Sequence, residues 1–280
     1  MFRRFVILCL ALLLSSAVLP PSLAGQDLET DTSIRPAPRW PSGRIRLNPA
    51  PGEKGHWIRT RRELVISGEG DRPVVGQRPT DLTIDEVPFQ PWSRALWDYY
   101  RLHTDRDAPH ARCKPSAGPR QVGTAYGFEI VEIQELQRAF IFDIGGPHSY
   151  RIVYTDGRPH PDDLTPSYYG HSVGWWEDDT FVVDTVGFNE RSWIDALGLV
   201  RTDELHQIER FTRVDFNTLH YDVTIDDPGA YTEPWTSGFV FRWEDGAEMF
   251  EYICQDNNKN MEMTIGDDGQ PLSRESLIVP

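Results

Sequence analysis

From Ala125 to Cys254 the sequence adopts a period of two and keeps it, and no other feature constrains the fold as tightly. Nine short runs alternate along this stretch: Ala125–Glu132, Leu136–Asp143, Ser149–Thr155, His171–Trp176, Thr180–Val186, Leu205–Arg213, Thr218–Ile225, Ser237–Glu244 and Met249–Cys254. Turn residues separate them, including Gly145-Gly146-Pro147, Asp156-Gly157, Asp178-Asp179, Asp215 to Asn217 and Asp245-Gly246. Short strands at hairpin spacing leave two unpaired edges if the sheet stays flat, and closing the sheet removes both. The expectation is an all-β fold: an antiparallel, up-and-down, lipocalin-like barrel of about 8–9 strands. A β-propeller would arrange similar strands, but no ~40-residue repeat is visible.

The segments before the strands read differently. Met1-Phe-Arg-Arg4, an apolar stretch from Phe5 to about Leu19, and Ser22-Leu23-Ala24 form a signal-peptide pattern over residues 1–24. A mature chain starting near Gly25, in the periplasm or secreted, is expected. Residues 25–87, rich in Pro, Gly, Arg and Asp, read as an extended arm whose one short strand is Glu63-Leu-Val-Ile-Ser67. Between residues 88 and 120 one helix is predicted from about 91 to 102, because Pro91 suits a helix start and Phe89, Trp92, Leu96, Trp97 and Tyr100 recur at helical spacing. The helix and the irregular residues after it should pack on a barrel domain spanning 121–265, with a tail at 266–280.

Charge narrows the partners. The chain carries 28 Lys and Arg against 43 Asp and Glu, a net charge of −15 that becomes −17 without Arg3 and Arg4. Nucleic acid and anionic membrane surfaces need a basic face, so neither is an expected partner. No later stretch approaches the ~20 apolar residues of a membrane span. Cys113 and Cys254 are the cysteines left after the leader; in an oxidising compartment they should pair, the alternative being two buried thiols. No metal and no cofactor is expected: the metal-ligand motifs H-x-H, HExxH and Cys-x-x-Cys are missing, as are the nucleotide motifs G-x-G-x-x-G and G-x-x-x-x-G-K-[ST]. Nothing in the sequence sets an oligomeric state.

Gly170-His171-Ser172-Val173-Gly174 matches the G-x-S-x-G nucleophile elbow, which would make Ser172 the nucleophile of a serine hydrolase. An elbow requires a helix directly after the serine. Here a turn and the Phe181-Val182-Val183 strand follow, so the stretch reads as a β-hairpin whose small residues admit another backbone or a ligand. Within the strands, polar groups standing in an apolar phase are the informative ones. Asp184 falls between Val182 and Val186, His171 shares a face with Val173 and Trp175, His148 precedes the phase of Tyr150, Ile152 and Tyr154, and Glu209 lies between Gln207 and Phe211.

If the barrel encloses a cavity, His171, Asp184, Glu209 and His148 could converge in it as acid-base groups. Its walls would be Tyr150, Tyr154, Trp175 and Trp193. The long connection 187–204 adds Trp193 and Asp195, with His206 just beyond, since loops of this length commonly serve binding. A second connection carries Asp156, Arg158 and His160 between prolines, which suits a pocket rim or a plain rigid loop. The structural alternative for each residue is a satisfied core group.

The strings Tyr154-Thr-Asp-Gly-Arg-Pro-His-Pro161, Gly170 to Asn189, Asp226-Asp-Pro-Gly-Ala-Tyr-Thr-Glu-Pro-Trp235 and Glu251-Tyr-Ile-Cys-Gln-Asp-Asn257 resemble a widespread family of exported bacterial proteins, over about Pro88 to Asn260. The resemblance brings no catalytic residues with it. By analogy of fold it is similar to the lipocalin-like proteins, which include ligand carriers and cofactor-free enzymes. The function expected is a cofactor-independent acid-base enzyme, an isomerase, cyclase, hydratase or lyase, acting on a small apolar or polycyclic molecule inside the barrel. A non-catalytic carrier of such a molecule is the alternative, and a serine hydrolase using Ser172 the third reading.

Overall fold

Alternation builds the sheet that the sequence predicts. In the computed structural model, which describes residues 34–67, 78, 80–145, 150–254 and 256, nine strands close into a barrel in chain order. They are β1 (Gly55–Arg59), β2 (Phe128–Ile133), β3 (Arg138–Asp143), β4 (Tyr150–Tyr154), β5 (His171–Glu177), β6 (Thr180–Val186), β7 (His206–Arg213), β8 (Thr218–Asp226) and β9 (Trp235–Asp245). Among the described residues one helix exceeds two turns, α1 (Pro91–Tyr100); α2 (Thr104–Asp107) and α3 (Pro119–Val122) are single turns. The expected all-β barrel with one packed helix is therefore present. The predicted leader, the tail 266–280 and His148 lie outside the described residues. Among the described residues, no helix is long and apolar enough to cross a membrane.

Four details differ from the expectation, the first being that Glu63-Leu-Val-Ile-Ser67, read as a strand, forms only an isolated bridge from Ile66 to Thr83. Strand β1 comes from within the stretch read as an arm, and it closes the barrel by pairing with β2 and β9. Strands β4 and β5 run parallel, with Val153 opposite Ser172, so the barrel is mixed rather than purely up-and-down. A parallel pair needs a crossover, and residues 155–170, with prolines at 159, 161 and 166, supply it. The run 249–254 forms no strand. It is held instead by the expected Cys113–Cys254 disulfide and by Phe250 and Tyr252 against Tyr126.

Residues paired across neighbouring strands share a face, so the register divides the barrel wall into inside and outside. Inside stand Phe128, Ile141, Val153, Phe181, Phe211, Tyr221, Val223, Phe239 and Phe241, each almost fully buried. Phe128 packs edge-on against Phe241 at 4.8 Å and Phe211 lies 5.0 Å from Tyr221. Ser172 also faces inward, hydrogen-bonded to Thr185 at 2.8 Å, and β5 continues past it to a two-residue turn where Asp178 takes φ 50°. No strand-to-helix turn follows Ser172, so the elbow geometry is not formed. Gly174 is small for a packing reason: a Cβ there would come within 2.7 Å of Val153 on β4.

One ion pair is buried among these aromatic rings. Arg151 and Glu209 meet through both carboxylate oxygens. Tyr221 donates to Oε1 of Glu209 at 2.9 Å and Gln207 to Oε2 at 3.0 Å. The two ends of the barrel are closed by chain from outside it. At one end Trp57 donates to the Leu47 carbonyl at 2.9 Å, and the Arg213 guanidinium lies over Trp57 and Trp243. At the other, α3 inserts Gln121, which donates to the Ile141 carbonyl and to Asp143. Gly118 precedes it at φ 58°, where a Cβ would lie 2.6 Å from Gln207.

Removing one member of such a pair strands the other charge in low dielectric, at a cost of about 3–5 kcal/mol, whereas replacing both with apolar residues costs far less. Glu209→Gln is expected to lower the unfolding free energy by about 3–5 kcal/mol in urea titration, and Arg151→Met with Glu209→Leu by less than either single change. A loss below about 1 kcal/mol for Glu209→Gln would contradict this account of the bore.

Candidate functional site

On the outer face of β5, β6 and β7 the alternating residues are His171, Val173 and Trp175; Val182, Asp184 and Val186; and His206, Ile208 and Arg210. The register sets Asp184 beside Val173 on one flank and Ile208 on the other, which places His171 and His206 on its diagonals. The crossover 155–170 lies over this face. Its residue His160, between Pro159 and Pro161, reaches both His171 and Asp184.

Four side chains thus form one hydrogen-bonded chain. Oδ1 of Asp184 lies 2.8 Å from Nε2 of His206 and 3.2 Å from Nε2 of His160. Nδ1 of His160 lies 2.8 Å from Nδ1 of His171. A carboxylate only accepts, so both imidazoles donate to it through Nε2–H. Neutral His160 then has an acceptor at Nδ1, and His171 must donate to it from its own Nδ1. The consequence is a lone pair on Nε2 of His171, outside the chain of hydrogen bonds. The His171 ring is held flat against Tyr154, with centroids 5.3 Å apart, and Arg158 covers the Tyr154 ring at 4.1 Å.

The surroundings tune these groups. The Asp184 and His160 side chains are each 22% exposed and His206 is 39% exposed, so the cluster is neither solvated freely nor sealed. Burial pushes the Asp184 carboxyl up, but the hydrogen bonds and charges of His206 and His160 outweigh it and hold it below the usual carboxylate value. His206 is raised, chiefly by its hydrogen bond to Asp184 and against its own burial. His171 is lowered by burial, then by the positive charge His160 carries when it is protonated, and then by the charge of Arg158. A neutral base beside an ionised carboxylate is the pairing that proton transfer near neutral pH requires. Among the described residues, no group of three or more His, Cys, Asp or Glu is arranged to hold a metal ion.

The remaining predicted residues lie elsewhere. Glu209 is in the bore, on the opposite side of the wall from Asp184, committed to Arg151, Gln207 and Tyr221. Tyr150 stands on the outer face with Phe140 and Phe142, 5.8 Å from each. Trp175 is 41% exposed and donates to Glu177 at 2.9 Å. Trp193 and Asp195 belong to the loop 187–205 and line a separate cavity. His171, Asp184, His206 and Tyr154 are therefore brought together, and His160 completes them. Strand phase could not have located His160, because a crossover residue has no register; its enclosure by two prolines was the available signal.

The His206–Asp184 interaction strengthens folding where both groups are charged. It is full between the ordinary values of 3.8 and 6.5. It fades as pH falls through the lowered carboxylate value or rises through the raised imidazole value. Partial exposure limits it to about 1 kcal/mol or less. In Asp184→Asn the His206 pKa is expected to drop to 6.5 or below in an NMR titration of the ring protons; an unchanged His206 titration would show that the two groups do not interact. No family model, curated protein or solved structure matches this chain.

Proposed function

We propose that the outer-face relay makes this protein a general acid-base catalyst that moves a proton on a small, largely apolar molecule without a cofactor. The observation that carries this reading is the unbroken line of hydrogen bonds from Asp184 through His160 to His171, ending at a free imidazole nitrogen. In this scheme Nε2 of His171 takes a proton from the substrate. His160 accepts from Nδ1–H of the resulting imidazolium, and Asp184 stabilises the positive charge through His160. Handing the same proton back at a different substrate atom gives an isomerase; loss of a leaving group from the deprotonated substrate gives a lyase.

The substrate class follows from the neighbours. Tyr154 and Val173 share the face with His171, and Ile208 flanks Asp184, so the region around the base is apolar and aromatic. The disulfide fits the oxidising compartment that the leader pattern implies. The carrier alternative would use the same face, and a turnover assay separates the two.

The probe is 5-nitrobenzisoxazole, whose ring opens when a base removes its C–H proton, releasing a coloured phenolate. Saturable turnover is expected, rising with pH through a midpoint below 6.5. His171→Ala should lower it by about 100-fold or more, Asp184→Asn by a smaller factor, and Ser172→Ala by less than about twofold, because Ser172 faces the bore. Turnover that survives His171→Ala, or saturable binding with no turnover at all, would overturn the catalytic reading.

A further inference from the structure

At the end of the barrel from which loop 187–205 emerges, a cavity of about 170 Å³ lies between that loop and the segment 104–120. Its polar lining is Thr104 together with Arg62, His110, Ser116, Arg120, Ser192 and Asp195, with Trp193 as an apolar wall. None of these residues belongs to the relay.

Two features of this lining are unsatisfied within the protein. The first is cationic. Nη1 of Arg120 donates to the Gly123 carbonyl at 3.3 Å, yet among the described residues neither Arg120 nor Arg62 has a carboxylate oxygen within ion-pair distance. Asp195 and Asp143 attract Arg120 only from farther away. In a chain with a net charge of −15, two guanidinium groups at one cavity with no carboxylate oxygen in ion-pair distance are conspicuous. They also crowd their neighbours: burial, then the charges of Arg120 and Arg62, bring Arg59 down to about 10. Burial, then Arg120, bring His110 down to about 4, so His110 is neutral and adds no charge of its own.

The second feature is an acceptor. Asp195 is 3% exposed, and its Oδ1 accepts the backbone N–H groups of Leu197, Gly198 and Leu199 at 2.9–3.0 Å. Its Oδ2 is buried with no partner. A buried acceptor left unpaired is costly, and this one belongs to a residue that lines the same cavity as the two arginines. His110 and Ser116 are engaged with each other at 3.1 Å, and Ser192 with the Pro115 carbonyl at 3.0 Å. The unmet demand is thus for one anionic group and one hydrogen-bond donor within a single small molecule. Cavities of this order accept a benzene-sized guest.

We propose that this cavity binds a small carboxylate carrying an adjacent O–H or N–H donor, with its carboxylate on Arg62 and Arg120 and its donor on Oδ2 of Asp195. Guanidinium groups pair with carboxylates in fork geometry, and a site with a buried acceptor rejects analogues that lack the matching donor. The inference is independent of the relay, and its readout is binding rather than turnover.

Calorimetric titration of the whole protein with glycolate, glycine, acetate and inorganic phosphate tests it. Saturable binding of glycolate or glycine is expected, at least about tenfold tighter than acetate or phosphate, and which of the two binds identifies the donor as hydroxyl or ammonium. Arg120→Gln should weaken that binding by about tenfold or more, with Arg120→Lys recovering part of it. Arg62→Gln at an exposed position carries the same test should the Arg120 variants fail to fold. Asp195→Asn keeps an acceptor for the three backbone N–H groups and should abolish the preference over acetate. Lack of saturable binding by glycolate and glycine, binding unchanged in the folded arginine variants, or acetate and phosphate binding as tightly as glycolate would each overturn the proposal.

Discussion

The salt bridge between Arg151 and Glu209 determines what the bore of this barrel can hold. Two full charges in the bore of a nine-stranded barrel are tolerable only with their remaining lone pairs and protons satisfied, and Tyr221 and Gln207 supply part of that shell. The aromatic residues around them then pack against one another. A bore occupied in this way leaves the outer wall and the rim as the places for the two candidate sites. The relay occupies the first of these places and the arginine-lined cavity the second.

Both places are arranged around the connections at one end of the barrel. His206 begins β7, Val186 ends β6 and His171 begins β5, so the crossover 155–170 and the loop 187–205 start or finish beside the relay. The crossover exists because β4 and β5 are parallel, and in crossing the outer wall it carries His160 onto Asp184. Loop 187–205 is held by Asp195, whose three backbone hydrogen bonds turn the chain at residues 195–199. The topology and the two candidate sites therefore share one cause, which is chain that must return over the outside of a closed wall.

Much of the wall was legible in the sequence. Alternation located eight of the nine strands because each strand has to separate a packed face from another, and Pro91 with its aromatic periodicity located α1. The two cysteines outside the leader pattern found each other for want of any competing partner. What alternation could not say was which phase faces inward. In β6 both phases are apolar, Phe181 and Val183 on one side and Val182 and Val186 on the other, since the outer wall is partly covered as well. Asp184 stands between Val182 and Val186 as the strand phase indicates, but the expectation that it points into a hollow with Glu209 reverses its face. Adjacent strands settle this geometrically: Asp184 pairs with Ile208, while Glu209 pairs with Val183. Strand β1 was missed because five residues among prolines and glycines show too little alternation to register. The run at 249–254 was overread because an alternating pattern does not guarantee a neighbouring strand to pair with.

The central claim is that His171, His160 and Asp184 act as one hydrogen-bonded unit, and nitrogen NMR tests it directly. With uniformly nitrogen-labelled protein at a pH where His171 is neutral, a hydrogen bond between the two Nδ1 atoms transmits scalar coupling between the nitrogens of the two rings. The account predicts a cross-peak linking Nδ1 of His171 to Nδ1 of His160, with the proton residing on His171. Two rings without that coupling, each titrating as an isolated imidazole, would contradict it.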